Sequence, residues 1–130
     1  MMPIYVFGEG PHKEEAVFPM TTERLLRYLG ASRKLIGFRY VEFMVERVLE
    51  KPDELQMITK CLYPETARYF GVSVCSVERA VRVLILSCWS QKEHTPMEFI
   101  AGRNLPQPPT NLEFIDIMSS YLRGESRKRA

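Results

Sequence analysis

Histidine, tryptophan and cysteine are scarce in this chain, and the shortages remove whole classes of function. The two histidines, His12 and His94, have no Cys, Asp or His neighbours in a chemically useful arrangement. Neither a metal centre nor an acid, base and nucleophile set is visible, so no metal, no cofactor and no catalytic residue is expected. The three cysteines, Cys61, Cys75 and Cys88, are an odd number without close metal spacing. They read as reduced thiols of a cytoplasmic protein. Long apolar runs are missing too. The longest, "VLILSCW" from Val83 to Trp89, falls well short of the ~20 residues that span a bilayer. The N-terminus has no basic segment followed by an apolar stretch, which argues against a secretory signal. There is no phosphate-cradling glycine loop and no convincing set of strands.

What is present is the composition of a soluble globular domain. The 130 residues suffice for one domain with a sizeable core, and 45% are hydrophobic and 26% charged. The net charge of +2 says little about partners, but its distribution says more. Arg24, Arg27, Arg33, Lys34 and Arg39 face only Glu23 within residues 21–40, while acidic residues collect at 42–54 and 93–116. Such a split fits a basic face and equally fits surface scatter.

Along the chain, residues 1–20 read as an arm: "IYVF" is strand-like and "GEGPHKEE" is loop-like. Residues 21–122 are helical in pattern, and 123–130 form a basic tail with Arg123, Arg127, Lys128 and Arg129. Thr21 can cap a helix that stops at Gly30. Phe38, Val41, Val45 and Val48 are spaced three, four and three, which predicts one buried helix face ending near Lys51-Pro52. A short helix is predicted over Glu54–Cys61, with Pro64 opening the next. Thr95–Glu98 and Thr110–Glu113 both read as capping boxes, separated by an extended "NLPQPPT" connector. The expected fold is all-α, with six or seven helices.

The stretch "ETARYFGVSVCSVERAV", Glu65 to Val81, carries the chemistry of a helix-turn-helix. Ala67 is small where two helices meet. Gly71 tolerates a left-handed turn, Val72 plugs the angle, and Ser73 caps the second helix. Val74, Val77, Val81, Leu84 and Cys88 make the core stripe of that helix. Beyond Val83 it is apolar nearly all round, which predicts a buried second half. Cys75, Ser76, Glu78, Arg79 and Arg82 point elsewhere.

A recognition helix presents its first turns to base edges in this way. Arg79 can bond the O6 and N7 of a guanine, and Glu78 can accept from a cytosine amino group. Arg82 suits a phosphate, and Ser73 and Ser76 lie where free N–H groups can hold another. The plainer reading is a structural corner in which Glu78 and Arg82 form an ordinary helix pair worth about 0.3–0.5 kcal/mol. Cys75 reads as a small side chain, with a redox role as the weaker alternative. Trp89, Tyr28, Tyr40, Tyr63 and Tyr69 read as packing groups.

The chain resembles the C-terminal effector domain of the sporulation-initiation master response regulator of endospore-forming Firmicutes. The resemblance rests on "ITKCLYPETARYFGVSVCSVERAVRVLILSCW" at Ile58–Trp89 and on "PTNLEFI" at Pro109–Ile115, with "GFRY" at Gly37–Tyr40 a weaker match. It covers about Thr21 to Leu122. It implies an all-helical domain whose helix-turn-helix binds short DNA boxes, often as tandem copies. By position it makes Glu78 and Arg79 the base-reading pair and Arg82 a further contact, and it places Lys60 at the DNA backbone. Ser76 stands where the family usually has Arg, and Val83 where a polar residue is usual. The family's full proteins carry a receiver domain, which twenty residues before Thr21 cannot form. The expected function is therefore sequence-specific double-stranded DNA binding by a transcription regulator, with a homodimer on tandem sites. The rival is an interaction module of the same fold that binds a protein regulator. No enzymatic role and no membrane association are expected.

Overall fold

The computed structural model describes residues 19–91 and 94–129. Within them the fold is all-helical, as the periodicity predicts. The elements are α1 (Thr22–Tyr28), α2 (Ile36–Glu50), α3 (Tyr63–Phe70), α4 (Val74–Trp89), α5 (Thr95–Ala101) and α6 (Asn111–Arg129). The arm falls outside the described residues except for Pro19 and Met20. The basic segment after Leu122 continues α6 as far as Arg129.

Helix α2 is the centre of the core. Phe38, Val41, Val45 and Val48 are buried at the predicted spacing, with Met44 between them, and α2 packs on α1, α3, α4 and α6. The closest approach is at Gly37, where an added Cβ would lie 2.3 Å from the Ala80 carbonyl oxygen of α4. Only a glycine lets these two backbones meet. Phe114, Ile115 and Met118 of α6 close the core from the other side.

Three local expectations give way. The helix expected over Glu54–Cys61 is a 3-10 helix at Pro52–Met57 followed by a π-helical turn at Ile58–Leu62. Pro52 removes a donor at the start, and Met57 at φ −114°, ψ 41° leaves the helical region between the two. The capping box at Thr110–Glu113 forms in both directions, at 2.9 and 3.1 Å. The one at Thr95–Glu98 does not. The Glu98 carboxylate accepts the Leu105 N–H at 2.8 Å and ties down the connector instead, while His94, at the N-cap, stacks on Trp89 at 3.7 Å. Finally, the second half of α4 is not buried all round, for Val83 and Leu86 are 48% and 40% exposed.

Candidate nucleic-acid interface

The corner between α3 and α4 is built as its sequence suggests. Gly71 sits at φ 70°, ψ 37°, and the N–H of Val72 reaches back to the Ala67 carbonyl at 2.9 Å. That closes α3 in the left-handed manner that glycine favours. Ala67 is buried, and Val72 packs against the core. Ser73 caps α4, its Oγ accepting the Ser76 N–H at 3.1 Å, and the two serine hydroxyls lie 2.9 Å apart. Both serines thus serve the cap, and the Ser76 N–H is already used. The stripe Val77, Val81, Leu84 and Cys88 is buried, with Ile85 beside it and Val74 half-buried.

This orientation decides where the polar residues go. With Val77 and Val81 fixed inward, a 100° step per residue carries Cys75 and Arg79 to the opposite side of α4. Both are exposed, as are Glu78 and, before α3, Lys60. Arg82 is half-buried, and its Nη1 donates to the Pro109 carbonyl at 2.7 Å. Among the described residues no ion pair joins it to Glu78, so the ordinary helix pair is not what holds it. Arg79 borders a groove of about 290 Å³ with Leu35, Ile36, Ser76, Ala80 and Val83. Ile36 and Val83 are each about half exposed there.

The basic stretch at 24–39 is partly engaged. Arg27 and Arg33 converge on Glu23. Hydrogen bonding from Arg27, with the charge of Arg33 beside it, holds that carboxyl below its ordinary value. Lys34 and Arg39 are exposed. Tyr40 and Tyr63 pack inward, but Tyr69 does not. It is 69% exposed and stacks on Phe43 at 4.6 Å, next to exposed Arg68. The sequence reading took Tyr69 for a packing group and did not single out Arg68; both lie at the end of α3, beside the turn.

Sequence reasoning also missed Asn111. Its Nδ2 donates both to the Tyr63 hydroxyl and to the Glu78 carbonyl, each at 3.1 Å. In the sequence it stands inside a capping box and inside the "PTNLEFI" motif, and neither points to a contact with α4. Burial raises the Tyr63 pKa, partly offset by this hydrogen bond.

The geometry is that of a helix buried along one face, with a polar, outward-facing first half. Comparison with known families adds the setting. A model of the sporulation initiation factor Spo0A C-terminal domain matches residues 22–122. The chain belongs to this family. DNA binding and transcription regulation in sporulation are the functions of the Spo0A C-terminal family, which is regulatory rather than enzymatic. The matched span contains all six residues expected at the interface. Among the described residues, no helix is long and apolar enough to cross a membrane.

Proposed function

We propose that α4 enters the major groove of double-stranded DNA as the second helix of a helix-turn-helix, and that the chain acts as a sequence-specific transcription regulator. The carrying observation is the exposure of Glu78 and Arg79 on the first two turns of a helix anchored by Val77, Val81, Leu84 and Ile85. A fixed base and a free head can place a guanidinium against a guanine with little reorganisation. Lys60 faces the sugar–phosphate backbone. Arg82, tethered through one nitrogen, keeps further N–H groups for a phosphate. Ser73 and Ser76 offer hydroxyls beside the cap. Two copies bind tandem sites as a homodimer, without a cofactor, in the cytoplasm where the chromosome lies.

A second reading has its own support. Half-exposed Ile36 and Val83 flank Arg79, and Ser76 adds no charge there. Such a mixed surface suits a protein partner, a regulator that the chain binds without touching DNA. Binding to a random duplex pool across a salt series separates the two. DNA binding predicts an enriched sequence and a slope of about −0.9 in log K against log salt for each phosphate neutralised. Absence of binding at low salt favours the protein partner.

A further inference from the structure

We infer that Asn111 is a positioning residue that sets the angle at which α4 presents Glu78 and Arg79, an inference that rests on the DNA-binding reading. Its amide has two N–H groups and both are used, one on Tyr63 at the start of α3 and one on the main chain of Glu78 in α4. A single side chain from α6 therefore spans the two helices of the corner. The Glu78 carbonyl can only accept, which fixes the nitrogen, rather than the oxygen, of the amide against it. A helical carbonyl has a second lone pair to give, so this bond does not compete with the helix's own ladder.

The amide does not act alone. Two residues earlier, the Pro109 carbonyl holds Arg82, one helical turn beyond Glu78. The segment from Pro109 to Asn111 thus lies along α4 and grips it at two points four residues apart. On another side of α4, Gly37 of α2 meets Ala80. The stretch from Glu78 to Arg82 is held from both directions, and Arg79 is the side chain between these holds that projects outward. The Asn111 contacts that bear on α4 are made by its nitrogen, to the Tyr63 hydroxyl and the Glu78 carbonyl. The Asn111 side chain contributes nothing to the α6 cap, which Thr110 and Glu113 complete between themselves. Removing it leaves that cap intact.

The test compares the full chain with its Asn111→Ala and Tyr63→Phe variants, using the duplex enriched by the wild type and a scrambled duplex of equal length. Asn111→Ala is expected to lower the preference for the enriched duplex by about three- to tenfold, the size of one lost hydrogen bond. Binding to the scrambled duplex, and its salt slope, should stay within about twofold, because phosphate contacts carry that term. Tyr63→Phe keeps the Glu78 contact and should lose less preference. Amide hydrogen exchange is measured alongside. It should quicken at residues 77–82 in Asn111→Ala and stay unchanged at 41–48 of α2. An unchanged preference, or a parallel loss on both duplexes with faster exchange throughout, overturns the inference. If the wild type enriches no duplex, the DNA reading fails. The exchange pattern then decides by itself whether Asn111 holds α4.

Discussion

Arg82 reaches out of the candidate recognition helix to the carbonyl of Pro109, 2.7 Å from its Nη1, and thereby joins α4 to the connector that leads into α6. The contact is half-buried and charge-assisted, so it is worth more than an exposed helix pair. Arg82→Ala should lower unfolding stability by about 1–2 kcal/mol in a denaturant titration. Glu78→Ala, which breaks no such tie, should cost no more than about 0.5 kcal/mol. Equal losses in the two variants would place Arg82 on the surface pair instead.

Gly37 offers a case in which the usual sign reverses. An alanine is normally better than glycine in a helix, by up to about 1 kcal/mol in the interior and less in the first turn, where Gly37 lies. Here the new methyl would meet the Ala80 carbonyl oxygen at 2.3 Å, and that partner is backbone. Helices α2 and α4 must separate, so Gly37→Ala should destabilise by about 1–3 kcal/mol despite the better propensity. Because α4 shifts with the change, DNA affinity should fall as well. A Gly37→Ala variant that melts at or above the wild-type temperature would show that the two helices do not cross this closely.

Cys88 gives the fold a pH dependence. Burial pushes its thiol up from 9.0 to about 11. The folded protein keeps the thiol protonated, whereas the unfolded chain ionises it once the pH passes 9. Its contribution is complete below about pH 9 and is lost as the pH rises towards 11, by about 2–3 kcal/mol. Tyr63, also raised by burial, acts in the same direction. Denaturant midpoints should decline across this window, and Cys88→Ala should show a shallower decline. Identical pH profiles would mean that Cys88 is solvated in the fold.

Much of this structure is legible in the sequence because local chemistry and packing agree. Thr21, Gly71, Ser73 and the Thr110–Glu113 box act within a few residues, and each does what its type favours. The stripes of α2 and α4 announce their buried faces through spacing. Failures occur where a distant partner captures a local signal. Glu98 leaves its box for Leu105, and Arg82 leaves Glu78 for Pro109. Val83 and Leu86 look like core by composition, yet they stand open because no described element covers that side of α4. The contacts of Asn111 were invisible for a related reason: its acceptors lie 48 and 33 residues away, and one is main chain.

The most direct test of the outward-facing head is to repeat the duplex selection with Arg79→Ala. A bidentate guanine contact is worth about 1–3 kcal/mol of discrimination, so the variant should lose preference at one base pair of the enriched site and keep it elsewhere. A uniform loss across all sequences, with the preference pattern intact, would contradict base reading by Arg79.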